Sequence, residues 1–280
     1  MRNHYFLYIM FVGMTFMLFS CNNPKSSSTS TNYGVGTYDS TALHVALVPN
    51  HDCLPIYYAK RMGIYDSLGL KLQIYTYGSQ MDCDTMLMSR YADGGWADKI
   101  RIAHYGKRMA NLEVMWTGNQ HWQLFSCGAL RINHIKALSG RTIAIARTSA
   151  ENVWLDQILK MGKLSADDVY RPQINNLKLR AQMLTGNQID AAVLTWPYSS
   201  YALSEGHKCV TSQRFSDSNG CFVINKKHLT SGLRKSQLLL LEKGRKMAID
   251  SLRAKGPHAY SIILQKDYGL PKQVADTIHF

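Results

Sequence analysis

The chain carries none of the short signatures of common catalytic folds. Gly-x-Ser-x-Gly, His-Glu-x-x-His, the P-loop and Gly-x-Gly-x-x-Gly are all absent from its 280 residues. This removes the nucleophile-elbow, zincin, nucleotide-phosphate and dinucleotide readings. It also has no Cys-x-x-Cys and no repeated Cys/His spacing, which excludes a zinc ribbon or a dithiol redox motif. Charged residues are only 18% against 46% hydrophobic, too few for a disordered chain. Seven prolines and twenty glycines are ordinary counts and exclude collagen-like and low-complexity classes. Acidic residues are the scarce kind: 19 Asp and Glu against 32 Lys and Arg leave a net charge of +13. That balance points to an anionic ligand, a membrane surface or nucleic acid without choosing among them. The basic residues are scattered apart from short groups such as Lys226-Lys227 and Lys243-Gly244-Arg245-Lys246, which read as solvated helix faces, so no nucleic-acid partner is expected.

What is present begins with the leader. Arg2 and His4 precede an uncharged run from Tyr5 to Phe19. A basic start and about fifteen apolar positions match a secretory signal, whereas a transmembrane helix needs about 20. The run ends Leu18-Phe19-Ser20-Cys21, which resembles a bacterial lipobox, in which the Cys is lipidated and becomes the first mature residue. Asn22 to Asn32, rich in Ser and Thr, is a flexible polar tether of the kind an anchored domain uses. The expectation is a signal peptide over 1–20, a lipidated Cys21 with its tether over 21–41, and a membrane-anchored location in the bacterial envelope facing the periplasm.

Five cysteines remain after Cys21: Cys53, Cys83, Cys127, Cys209 and Cys221. Five is odd, so at least one is free or pairs between chains. His51, Cys53, Cys83, His104 and His121 can be assembled into a metal site on paper, but buried small thiols and loop histidines are the simpler reading. No metal and no cofactor is expected.

From about Thr41 onward, strand and helix patterns alternate. His44 to Val48 reads as a strand, and Pro55 opens a helix through Arg61 that Gly63 stops. Leu70, Leu72, Ile74 and Thr76 alternate with polar or aromatic neighbours and give a second strand. A Met-rich helix follows over about Asp82 to Ser89, and Leu112 to Trp116 reads as a strand. Downstream, Arg141 to Ala146 is a strand leading into a helix, where Thr148-x-x-Glu151 has the capping-box spacing and Leu155, Ile158 and Leu159 form the buried stripe. Leu177 to Thr185 is helical, Ile189 to Leu194 a nearly continuous apolar strand, and Cys221 to Ile224 another. Gln237 to Arg253 and Pro257 to Gln265 are helices. This alternation indicates an α/β architecture with mainly parallel sheets. Ligands of such sheets sit outside the carboxyl ends of the strands, which selects Asn50–Leu54, Arg147–Glu151 and Thr195–Tyr198.

The order of these pieces resembles the type II periplasmic solute-binding proteins of ABC transporters, in the SsuA/NMT1/THI5-like branch of sulfonate, nitrate and thiamine-precursor binders. Leu54-Pro55-Ile56-Tyr57-Tyr58-Ala59-Lys60-Arg61-Met62-Gly63-Ile64-Tyr65 is similar to the branch's first motif. Leu138-Ser139-Gly140-Arg141-Thr142-Ile143 resembles its entry to the second lobe. Leu184-Thr185-Gly186-Asn187-Gln188-Ile189-Asp190-Ala191 matches its Leu-x-x-Gly-x-(Ile/Val)-Asp-Ala segment, and Trp196-Pro197-Tyr198 its x-Pro-(Tyr/Phe). Ser89 to Trp96 departs from the usual Gly-x-(Ile/Val)-Asp pattern through extra small residues. The resemblance implies two α/β lobes joined by two crossovers, with lobe one over 42–125 plus 215–280 and lobe two over 126–214. It implies a cleft lined by Asn50, His51, Asp52, Leu54, Gly78, Ser79, Gln80, Arg147, Thr148, Ser149, Thr195, Trp196 and Tyr198. Thr148 and Ser149 would offer hydroxyls and helix-start amides, Trp196 would stack a planar ligand, and Asp52 would accept from a ligand amine. The expected function is capture of a small polar or planar solute and its delivery to an ABC permease and its ATPase, by a monomer without catalytic residues. The alternative is an enzyme on the same fold, of the menaquinone- or thiamine-precursor biosynthesis type.

Overall fold

Five consecutive buried residues, Leu43–Leu47, form β1, a run suited to a central strand covered on both faces. The computed structural model describes residues 38–89, 91–215 and 219–280. These lie in the unit Thr31–Phe280, and the leader and Cys21, in the unit Met1–Ser30, fall outside the described residues. A 3₁₀ turn over His51–Cys53 leads into α1 (Leu54–Arg61), with Pro55 in its first turn. Gly63 takes a left-handed φ of 68°, ends α1 and starts the single-turn α2 (Ile64–Ser67). β2 (Leu72–Thr76) pairs with β1 in parallel. Then come α3 (Gln80–Met88), β3 (Gly94–Asp98), α4 (Lys99–Tyr105) and β4 (Leu112–Thr117). The chain crosses into a second sheet through β5 (Gln123–Ser126), β6 (Ile143–Ala144), α5 (Ala150–Met161), α6 (Leu177–Thr185), β7 (Ala191–Leu194), α7 (Tyr198–Ser204) and β8 (Lys208–Thr211). It returns through β9 (Gly220–Asn225), the long α8 (Gly232–Ala254), α9 (Ser261–Lys266) and α10 (Lys272–Ala275).

The first sheet has the order β2-β1-β3-β9-β4 and the second β6-β7-β5-β8. The α/β architecture is as expected, but the sheets are mixed rather than mainly parallel. β9 runs antiparallel to both β3 and β4, and β5 antiparallel to both β7 and β8. The reason is the two crossovers: a strand that enters a sheet from the other one starts at the end where the parallel strands finish. The sheet changes between Thr117 and Gln123 and again between Thr211 and Gly220, so a boundary after residue 125 falls inside β5.

The apolar run of β7 is explained by its two faces. Ala192 and Leu194 join the core of the first sheet, which continues through Tyr198, Tyr260 and Tyr268. Ala191 and Val193 face the other way, into a second core with Trp154, Leu155 and Ile158 of α5. Alternate side chains therefore serve two cores, as the two-residue period of a strand requires. Two local expectations change. The cap of α5 is Ser149, whose hydroxyl accepts from Asn152 N–H, and not Thr148, which sits at a left-handed φ of 52°. Glu151 is drawn into the interior instead, where its carboxylate accepts from Ala146 N–H.

Candidate functional site

The carboxyl ends of β1, β2 and β3 meet the carboxyl end of β6 across a cleft. Val48, Gly78, Asp98 and Ala146 follow or end those strands, and together with Gln120 and Trp122 of the first crossover they line an inner space of about 50 Å³. A larger space of about 470 Å³ adjoins the two crossovers and shares Gln120 and Trp122 as wall residues. Its other walls include Trp154 and Gln157 of α5, Asn119 of the first crossover and Gln213 and Arg214 of the second. That volume lies in the range of small-molecule sites. The inner space alone holds little more than water.

Side chains cross the cleft. Asp98, the last residue of β3, caps α4 through Oδ1, which accepts from Ile100 N–H at 2.8 Å. Its Oδ2 accepts from Ala150 N–H, the first amide of α5, at 2.7 Å. The positive ends of two helices thus converge on one carboxylate. Burial nevertheless pushes the Asp98 carboxyl up to about 6, with the amides of Ala150 and Ile100 and the Arg101 charge pulling against it.

Arg101 spans the cleft one turn further on. Its guanidinium donates to Asp84 and to Tyr105 Oη, and also to the carbonyls of Arg147 and Thr148 at 3.4 and 3.2 Å. The left-handed turn at Thr148 presents those carbonyls. Behind the α5 start, Arg180 is fully buried and pairs with Glu151 at 2.9 Å while donating to the carbonyls of Ile174 and Val193. The buried charge pair is satisfied on both sides, the condition under which such pairs are tolerated. Ser79 and Asn176 form an isolated bridge between the two halves.

The crossovers are tied together. Gly118 N–H donates to the Gly220 carbonyl at 2.9 Å, and His121 Nε2 lies 2.7 Å from the Ser212 carbonyl. Trp96 of β3, 2% exposed, lies beneath both: a β-carbon at Gly118 would collide with its ring, and one at Gly220 would lie 2.6 Å from it. Asp52 holds the first crossover through Oδ1, which accepts from Asn119 N–H at 2.8 Å, while its Oδ2 is buried without a partner.

Apart from Asp52, which holds the first crossover, the expected site residues fall into three groups. Gly78, Gln80 and Ser149 line the inner space, and Ser79 caps α3 beside them. Arg147 and Thr148 are exposed and contribute carbonyls. The loops after β1 and β7 instead meet each other. His51 stacks on Phe280 at 4.4 Å and meets Trp196 edge-on at 5.4 Å, and Trp196 Nε1 donates to the His279 carbonyl. Asn50, Leu54, Thr195 and Tyr198 are buried; Asn50 Oδ1 accepts from Cys53 N–H while its Nδ2 has no partner, and Tyr198 Oη donates to the Tyr268 carbonyl. Sequence reasoning did not identify Asp98, Arg101, Gln120, Trp122 or Trp154. The available signal for Asp98 was its place after a short apolar segment and before a helix. For Trp122 it was an aromatic directly after the polar stretch Asn119–His121, between two strands.

Thiols give the cleft no reactive group. Cys53 and Cys83 are fully buried, and burial pushes both well above the ordinary thiol range. Among the described residues, no group of three His, Cys, Asp or Glu side chains is set to hold a metal ion, and no helix is long and apolar enough to cross a membrane.

Two mixed α/β sheets, joined by two crossovers with a cleft between them, define the periplasmic-binding-protein fold. The chain belongs to the NMT1/THI5-like family, whose model matches residues 50–269. No curated protein matches it in sequence. Among solved structures it is similar to the alkanesulfonate-binding protein SsuA from Xanthomonas axonopodis pv. citri bound to MOPS, with a TM-score of 0.68 at 16% identity, covering 85% of this chain and 82% of that one. The ligand-binding component of an ABC-type import system from Staphylococcus aureus gives 0.68 at 12% identity, with 84% and 82% covered. The desulfurization enzyme DszB gives 0.59 at 14% identity, with 85% and 84% covered. At these identities the likeness shows the fold.

Proposed function

We propose that the chain is a solute-binding protein of an ABC importer, anchored to the bacterial envelope through Cys21. It takes one small polar or planar molecule between its two lobes, 42–122 with 215–280 and 123–214, and delivers it to a permease and its ATPase. The observation that carries this reading is the 470 Å³ space at the crossovers, walled by the amides of Asn119, Gln120, Gln157 and Gln213 and the indoles of Trp122 and Trp154. Amides orient a polar solute, and indoles cover a planar or apolar face. Kinship with the NMT1/THI5-like family and likeness to binding components of importers support it. Catalysis on the same fold, as in the desulfurization enzyme, has less support here, because Cys53 and Cys83 are buried and their thiols are pushed up by that burial.

The test is a thermal-shift screen of the purified protein against thiamine and pyrimidines, amino acids, flavins, alkylsulfonates and nitrate, with native mass spectrometry for co-purified solute. A solute at 100 times its dissociation constant adds about 2.7 kcal/mol, a rise of several degrees for a domain of this size. One responding chemical class is expected. Silence across the panel with nothing carried through purification would overturn the reading.

A further inference from the structure

We propose that Asp98 is the cleft's own anion. It fills the seat at the start of α5, shuts anionic solutes out, and leaves the cleft to neutral or cationic ones. This rests on the solute-binding reading and narrows its ligand class. The first amide of α5 is where an incoming sulfonate, nitrate or carboxylate would find a free donor and a favourable helix dipole. Here that donor is taken across the cleft by Asp98 Oδ2 at 2.7 Å, and the other carboxylate oxygen is fixed by Ile100 N–H. The hydroxyl of Ser149 occupies Asn152 N–H, two amides further on.

The two buried cations nearby are committed. Arg101 is engaged by Asp84, Tyr105 and two carbonyls, and Arg180 by Glu151 and two carbonyls. Among the buried groups around the α5 start, the carboxylates of Asp84, Asp98 and Glu151 thus stand against the guanidinium groups of Arg101 and Arg180, one buried negative charge left over in a chain whose total is +13. The Arg147 guanidinium is exposed and donates to the Arg171 carbonyl. Lys99 is next in sequence to Asp98 and acts electrostatically on Cys221, and Arg214, on the rim of the larger space, is exposed and bonded to Asn119. A second anion on Ala150 N–H would face the Asp98 carboxylate at contact distance, in surroundings where like charges repel strongly. The basic character of the whole chain is therefore a poor guide to its ligand.

The experiment needs no knowledge of the natural solute. Wild type, Asp98→Ser and Asp98→Asn are titrated with methanesulfonate at constant ionic strength, reading thermal midpoint and titration heat. Ser keeps a cap for α4 but removes the charge and frees the α5 amide. Asn keeps one acceptor for the α4 cap, while its Nδ2, a donor only, cannot hold Ala150 N–H, and it carries the test if the Ser variant does not fold. The wild type should show no saturable response. The variants should gain a saturable site at least about tenfold tighter than any wild-type response, the ratio that 1.4 kcal/mol gives. Saturable binding by the wild type, or no gain in a folded variant, would overturn the proposal. A silent solute panel beside a gain of methanesulfonate binding would sink the solute-binding reading alone.

Discussion

Asp98 is a buried carboxylate whose ionised form is held by amides but taxed by desolvation, and burial wins. An acid with a folded-state value near 6 and an unfolded value near 4 binds its proton more tightly when folded. Between those values the folded form carries more protons than the unfolded one, so stability falls as pH rises through the window. The penalty is absent near pH 4 and complete above about pH 6. Asp98→Asn removes it, while Arg101, Lys99 and Asp84 stay in place in both proteins and cancel in the comparison. Urea unfolding of the two should give matching stabilities near pH 4 and an Asn variant more stable by on the order of 2–3 kcal/mol above pH 7. A gap that shrinks with rising pH would contradict this account of the residue.

At the scale of elements, the crossovers show where sequence was readable and where it was not. α6 falls on the expected Leu177–Thr185, and β1, β2, α1 and β9 lie within a few residues of their patterns, because apolar periodicity and Gly or Pro stops mark them. β3 carries no such mark. Its Gly94-Gly95 belongs to the stretch of extra small residues that departs from the family pattern, yet small residues are what the sheet requires: a β-carbon at Gly95 would collide with the Ala46 carbonyl of β1. With β3 missed, Asp98 and α4 lost their place, and so did the cross-cleft contacts. Glu151 was misread for a related reason, since a capping-box spacing cannot reveal that Arg180 waits 29 positions on. The same tightness makes the hinge testable. Gly118→Ala drives a methyl into Trp96 and Asp52, an overpacking that should cost about 1–3 kcal/mol. Calorimetry should show a midpoint several degrees lower; an unchanged midpoint would mean that Trp96 does not brace the crossovers.

For the whole molecule, alternating strands and helices were enough for the α/β class, and motif order was enough for the family, whose resemblance implied the two lobes. The cleft lining was only partly legible. Of the three loops that the carboxyl-end rule selects, Arg147–Glu151 borders the inner space through Ser149 and Glu151, whereas Asn50–Leu54 and Thr195–Tyr198 close on each other beside His279 and Phe280. The crossovers that wall the larger space have no periodicity to announce them. Net charge was the least informative quantity, since among the described residues Arg101 and Arg180 are the buried cations, while Asp84, Asp98 and Glu151 are buried beside them.

The central claim is that one solute binds between the two sheets against the first crossover. Titration calorimetry of the strongest solute from the screen, against wild type and Gln120→Ala, tests it most directly. The account predicts one site per chain in the wild type and binding weakened about tenfold or more in the variant, the loss of roughly one buried hydrogen bond to a solute. Equal affinity in the two proteins would place the solute elsewhere and contradict it.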